Sequence, residues 1–370
     1  MKKESIISTV FLLIVLAVAI IMGLTVVSDA FARLYESNLS PVLFTLIVLV
    51  LGFVFNIVYM ELAHVLGAKV GKCKVVSINC YFICLQKKKE GWKLGTADFD
   101  GLTGETKIIK TEKSKLNAYV WMPIVFYAAE LAACVVLYTM GQTAPANSAL
   151  KWLAIAALLW IILSSILIVY DFIPFKLDTM NDGYRLSLLT KPDNARALLD
   201  YMDYQGKLVL NDTPVGIEFN ETFTDFTVEM NLLIVEQAVL RKDYQCALEM
   251  LFKMKKSEAK IDPYLRKRIV AQEIFVYLMT KPIDEVKKFY DEEVNDAERK
   301  FISNDTQVES LRSYALIAGL IDDSQFEVQY ALSKKDKAFK QCEKNYLEEE
   351  KKLFEEVIKK IQEKHPDWKK

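Results

Sequence analysis

The feature that most constrains this chain is a charge-free apolar run, Pro41 to Met60, that leads directly into Glu61 and His64. About 20 consecutive apolar residues are enough for a helix to cross the hydrocarbon of a bilayer. Ionisable side chains at membrane depth are costly, so they usually face a protein interior and have a function there. The run therefore predicts a membrane helix that carries a functional site.

Four stretches are predicted to span a membrane, and the loops between them indicate their direction. The spans are residues 6–27, 41–66, 118–140 and 152–175. The loop 67–117 is rich in lysine and includes Lys87–Lys89, whereas the loop 141–150 carries no charge. Positively charged loops stay on the cytoplasmic side. We therefore expect a multi-pass protein of the cell membrane with both termini and the 67–117 loop in the cytoplasm.

The loop 67–117 also contains a predicted β element. Residues 75–85 are rich in β-branched and aromatic side chains, and residues 106–109 favour a return strand. Two interpretations are open for this small sheet. It offers an edge to an extended peptide, or it merely caps the membrane helices.

The second half of the chain predicts a soluble helical domain. Residues 191–225 are interpreted as a linker with a strand-like Lys207–Leu210, and residues 336–370 as a charged, solvated C-terminal helix. Between them, residues 226–335 form three predicted helix pairs, and the pair at 231–251 resembles a tetratricopeptide repeat. A short solenoid with a concave face for a partner and an irregular bundle both remain open. The fold class is mostly α: a polytopic α-helical membrane domain of four spans with a small cytoplasmic β element, plus a cytoplasmic helical-repeat domain.

Composition excludes several classes of function. The 47 Lys and Arg balance the 48 Asp and Glu, so no basic excess predicts a nucleic-acid partner. None of the six cysteines forms a C-x-x-C pair, which argues against a zinc knuckle. His64 and His365 are the only histidines, and His365 lies in the charged tail. A metal site with several histidines therefore cannot form in the membrane domain.

Met60, Glu61 and His64 have the spacing of H-E-x-x-H, in which two histidines hold zinc and the glutamate is the general base. Together with the strand-rich loop and with Ile173–Phe175 followed by Asp182-Gly183, this segment resembles the site-2 protease family of intramembrane zinc metalloproteases. The resemblance covers about residues 41–190. It implies that His64 and Asp182 are zinc ligands and that Glu61 activates water for hydrolysis of a peptide bond in or beside a membrane helix.

Met60 stands where the family has its first zinc histidine, and a thioether does not suit Zn²⁺. Three interpretations follow. The chain binds membrane-anchored peptides without cutting them; it holds zinc through His64, Asp182 and a substitute such as Asp178 or Cys80; or the motif is structural only. Glu130, in the middle of the third span, is a further candidate. The alternative function is a non-enzymatic membrane scaffold whose repeat domain recruits a cytoplasmic partner.

Overall fold

The structure is a computed structural model that describes residues 41–80, 82–96, 104–145, 148–174, 180–210, 217–340 and 345–368, and a few isolated residues elsewhere. The chain divides into two compact units, Met1–Val215 and Gly216–Lys370. The predicted first span, residues 6–27, lies largely outside the described residues.

Three helices of the first unit are long and apolar enough to cross a membrane. They are α1 (Pro41–Val70), α2 (Asn117–Gln142) and α3 (Ala149–Asp171). They coincide with the predicted second, third and fourth spans. Gly67 allows α1 and α2 to approach closely, because a Cβ atom there would lie 2.5 Å from the carbonyl oxygen of Ala118. The three helices contact one another and form the scaffold of the site.

A four-stranded antiparallel sheet connects α1 to α2. Its strands, in the spatial order β3-β2-β1-β4, are β1 (Lys74–Cys80), β2 (Ile83–Lys88), β3 (Gly91–Thr96) and β4 (Gly104–Ile109). The predicted strand at 75–85 is a hairpin of β1 and β2, because the chain reverses between Cys80 and Ile83. The predicted return strand is confirmed as the core of β4, which pairs with β1.

Two short helices complete the first unit, α4 (Asp182–Leu189) and α5 (Pro192–Val209). The strand-like interpretation of Lys207–Leu210 is wrong, because residues 207–209 form the last turn of α5 and Leu210 is its C-cap. Gly206 lies against the backbone of Ile108, where a Cβ atom would come within 2.1 Å of the carbonyl oxygen. Packing of α5 on β4 outweighs the local β propensity.

The second unit is helical throughout its described elements. These are α6 (Asp225–Leu240), α7 (Tyr244–Lys256), α8 (Pro263–Thr280), α9 (Ile283–Glu293), α10 (Asp296–Asn304), α11 (Val308–Leu320), α12 (Gln325–Phe339) and α13 (Leu347–Lys364). The three predicted helix pairs correspond to α6–α7, α8–α9 and α11–α12, and α10 is an additional helix. The expectation of a long solvated helix at the C-terminus is wrong. Helix α12 ends at Phe339, and α13 buries Leu353, Val357 and Ile361 in the core because they share one face at i, i+4 spacing.

Candidate functional site

The site is centred on His64 and Asp182, which lie 118 positions apart in the sequence. His64 is on α1, and Asp182 begins α4 just after the end of α3. The His64 Nε2 atom lies 3.3 Å from Asp182 Oδ2, and both side chains are almost fully buried. Asp182 and Gly183 form the first turn of α4, whose N-cap, Asn181, accepts a hydrogen bond from the Tyr184 amide at 3.1 Å. This cap fixes where the Asp182 carboxylate points.

Arg185, one turn after Asp182 on α4, orients the same carboxylate. Its Nη1 donates to Asp182 Oδ1 at 2.8 Å, which leaves Oδ2 facing His64. Burial raises the pKa of Asp182 to about 6, although the Arg185 guanidinium lowers it. The ring of Tyr119, on α2, stacks on His64 with centroids 4.6 Å apart, and Arg185 lies 5.8 Å from the centre of that ring. The imidazole, carried by α1, is therefore held by contacts from α2 and α4.

Glu61 lies on α1 three residues before His64 and faces strand β4. Thr106 Oγ1 donates a hydrogen bond to Glu61 Oε2 at 2.5 Å. A Cβ atom at Gly104 would lie 2.5 Å from Glu61 Oε1 and 2.7 Å from the carbonyl oxygen of Asn79, so a larger residue there would force the Glu61 carboxylate or the backbone to shift. Cys80, at the end of β1, is close enough that Glu61 reinforces the effect of burial, which raises the pKa of the thiol to about 11.

One other predicted candidate, Met60, lies within the first unit beside the unpredicted Asp171, and another, Asp178, falls outside the described residues. Met60 is buried on α1, one turn before His64. Asp171 ends α3, and its Oδ1 accepts a hydrogen bond from the Asp182 amide at 3.4 Å. Asp178 lies outside the described residues. Within the described part of the chain, His64 Nδ1, Asp171 Oδ2 and Asp182 Oδ2 are buried without a hydrogen-bond partner.

Glu130 belongs to a different polar cluster. Ser164, on α3, donates to Glu130 Oε1 at 2.7 Å and is also 3.3 Å from Oδ1 of Asn56 on α1. Glu130 is eleven residues after Tyr119 on α2, about 16 Å along the helix axis from the ring that covers His64. The cluster links the three long helices through hydrogen bonds and does not include the His64–Asp182 pair.

An open, mainly apolar groove of about 770 Å³ lies beside the site. Gly183 and Phe172 are among its lining residues, and most of the others come from α2, α3 and α4, including Trp121, Leu131 and Leu186. Its chemistry suits an apolar segment better than a polar solute.

The donor atoms at the site meet some of the requirements of a zinc ion. Two ligands that each lie about 2.0 Å from a tetrahedral zinc ion are about 3.3 Å apart, so the separation of His64 Nε2 and Asp182 Oδ2 suits two of its ligands. A catalytic zinc site needs a third protein ligand. Among the residues that the structure describes, no group of three or more His, Cys, Asp or Glu side chains is arranged to hold a metal ion. The described residues therefore do not supply the three protein ligands of a catalytic zinc ion.

Comparisons of the chain with protein-family models, with curated proteins and with solved structures find no match.

Sequence reasoning missed four residues that shape the site: Thr106, Tyr119, Asp171 in its contact with Asp182, and Arg185. Arg185 carried a usable signal, because an arginine three residues after an aspartate on a helix faces it. Thr106 and Tyr119 carried none, since their contacts depend on how β4 and α2 pack against α1.

Proposed function

We propose that this chain is a site-2-protease-like membrane protein that binds an extended segment of a membrane-anchored peptide or protein and does not hydrolyse it. It would be a multi-pass protein of the cell membrane with both termini in the cytoplasm. The observation that carries the proposal is the His64–Asp182 pair beside Glu61, 3.3 Å apart and without a third metal ligand in the described chain. The arrangement keeps two of the three ligand positions that the resemblance implies, together with the general base, but not the metal chemistry.

Strand β3 supports the binding half of the proposal. It is the outer strand of the sheet, and all six of its residues are exposed. An extended peptide adds to such an edge through main-chain hydrogen bonds. The opposite edge strand, β4, is covered by α5 through the contact of Gly206 with Ile108.

The position of β3 also agrees with binding in the absence of cleavage. A strand added beside β3 would lie four strand spacings from β4, or about 19 Å. Because β4 is the strand that contacts Glu61, pairing at β3 does not by itself bring a peptide bond to Glu61. The apolar groove beside Gly183 offers room for a hydrophobic part of the same ligand.

Hydrogen exchange on the full chain in nanodiscs tests this function. The probe is a synthetic peptide with one leucine-rich membrane helix followed by eight extended, β-branched residues. We expect slower exchange of the β3 amides and an unchanged peptide mass. The control is the same peptide with alternate backbone nitrogens methylated in the extended part, which should give no protection because strand pairing needs those donors.

Two results would count against the proposal. Cleavage of the peptide by the native chain, lost in Glu61→Gln, would mean that the protein is a protease. Protection confined to residues 220–335 would favour the alternative, a membrane scaffold that recruits a partner through its helical domain.

A further inference from the structure

The β2–β3 hairpin exposes an apolar face whose direction is set by the register of the sheet. Leu85 pairs with Leu94, and Ile83 pairs with Thr96. Side chains of directly paired residues lie on the same face. We call Ile83, Leu85, Trp92 and Leu94 the hairpin face; Leu94 is 75% exposed, Trp92 46% and Ile83 44%. An exposed apolar surface of this kind marks a binding partner or a membrane.

The hairpin face is continuous with the face of the sheet that covers Glu61. Ile83 pairs with Cys80, which pairs on its other side with Gly104. Gly104 and Thr106 are the β4 residues that contact Glu61. The apolar side of the hairpin therefore faces the same way as the side that packs against α1.

The depth of the hairpin follows from its distance to the end of α1. Glu61 is nine residues before Val70, the last residue of the helix, which corresponds to about 14 Å along the axis. The end of the sheet that holds Cys80, Ile83 and Gly104 lies at the level of Glu61. If α1 spans a bilayer, this end of the sheet lies deeper in the membrane than Val70, the cytoplasmic end of the helix. Strand β2 starts at this deeper end and runs toward the cytoplasm.

The composition of the hairpin changes along this outward direction. Ile83 and Leu85 come first, and Lys87, Lys88 and Lys89 follow at the outer end. Trp92 pairs with Lys87, so an aromatic ring lies at the level where the lysines begin. Tryptophan and lysine are the residues that favour the headgroup level of a membrane.

The charges at the outer end are predominantly positive. Glu90 is the one acidic residue between Ile83 and Thr96, and its carboxylate is paired with Lys93 at 2.6 Å. Lys87, Lys88 and Lys89 are all exposed. Three adjacent lysines beside an apolar face complement the anionic lipids of a cytoplasmic leaflet.

We propose that the hairpin face is embedded in the cytoplasmic leaflet and that Lys87–Lys89 bind anionic phospholipid headgroups. The proposal rests on the membrane orientation given under the proposed function, and it is independent of peptide binding. The lipid covers the face of the hairpin, whereas a peptide would pair with the outer edge of β3.

Quenching of Trp92 by lipid tests the depth. The full chain is placed in nanodiscs of phosphatidylcholine with brominated acyl chains, and its tryptophan emission is compared with that in unbrominated nanodiscs. We expect Trp92→Phe to remove a strongly quenched component. The matched control is Trp368→Phe, which changes a tryptophan of the second unit, Gly216–Lys370, here called the helical unit. This variant should remove an unquenched component of the tryptophan emission. If the Trp92 component is unquenched, the hairpin face does not lie in the leaflet and the proposal fails.

Hydrogen exchange tests the headgroup contact. The amides of β2 and β3 should exchange at least threefold more slowly in nanodiscs with 30% phosphatidylglycerol than in pure phosphatidylcholine. This difference in exchange rate between the two lipids should disappear in the triple variant Lys87→Gln, Lys88→Gln, Lys89→Gln. It should persist in a control that removes the same charge from α12, the triple variant Lys334→Gln, Lys335→Gln, Lys337→Gln. Equal exchange of the native chain in the two lipids would overturn the headgroup contact and would leave the peptide-protection experiment unaffected.

Discussion

Arg312 shows how single buried charges are satisfied in the helical unit. Its guanidinium is fully buried and donates to Glu236 Oε1 at 2.6 Å and to Glu350 Oε2 at 2.7 Å. Burial raises the pKa of Glu350 to about 9. Burial also acts on Glu236, but there the Arg312 charge outweighs it and lowers the pKa. The two shifts have opposite signs because one guanidinium neutralises only one of the two carboxylates.

This arrangement predicts that the helical unit loses stability as pH rises. Between pH 4.5 and about 9 the folded chain keeps a proton on Glu350 that the unfolded chain releases, so the free energy of unfolding falls by up to about 1.4 kcal/mol per pH unit. Glu350→Gln keeps the uncharged shape and should flatten this slope. Urea unfolding at pH 5 and pH 8 measures this change in the free energy of unfolding for the native chain and for Glu350→Gln. An equal slope in native and variant chains would show that Glu350 is ionised in the fold.

Gly183 is predicted to set the position of Asp182. A Cβ atom there would lie 2.3 Å from the carbonyl oxygen of Phe172, which is backbone and cannot move aside cheaply. Gly183→Ala should therefore displace the start of α4 and cost about 1–3 kcal/mol of stability. Thermal unfolding in detergent measures the change. The control is Gly95→Ala, where a Cβ atom meets nothing within 4 Å, and an equal loss in both variants would contradict the account.

At the scale of elements, local patterns predicted what depends on sequence neighbours. Hydrophobic periodicity predicts three of the spans, the strands at 75–85 and 106–109, and the three helix pairs. Helix α10 was not predicted. Lys207–Leu210 was interpreted as strand-like, but the contact of α5 with β4 holds residues 207–209 in a helix. The pairing of His64 with Asp182 was expected from the resemblance, whereas the roles of Arg185 and Thr106 depend on packing that no local pattern contains.

Helix α13 is predicted to be part of the core of the helical unit, despite its high charge. Val357 is fully buried in it, so Val357→Asp should cost about 3 kcal/mol or more and loosen the packing of α13 on α11. Lys359→Asp introduces the same carboxylate on the exposed side and should cost less than about 1 kcal/mol. Chemical unfolding compares the free energies of unfolding of the two variants. Similar losses of stability in Val357→Asp and Lys359→Asp would mean that α13 is not packed as described.

At the scale of the whole molecule, the two units have separate cores. The large hydrophobic cluster of the second unit runs from Val228 to Ile361 and draws only on residues of that unit. Residues 216–370 should therefore fold as a separate soluble fragment. Circular dichroism should show a single cooperative thermal transition. A soluble fragment without such a transition would mean that the helical unit depends on the first unit for its fold.

The proposed function requires that the His64–Asp182 pair has the geometry of two zinc ligands and lacks a third at position 60. The most direct measurement is the zinc content of the detergent-purified native chain, of Met60→His and of Met60→His/Asp182→Ala. Because residues four apart share a helix face, a histidine at position 60 should join His64 and Asp182 as the third ligand. We predict almost no zinc in the native chain, about one zinc per chain in Met60→His, and its loss in the double variant. About one zinc in the native chain, or none in Met60→His, would contradict the account.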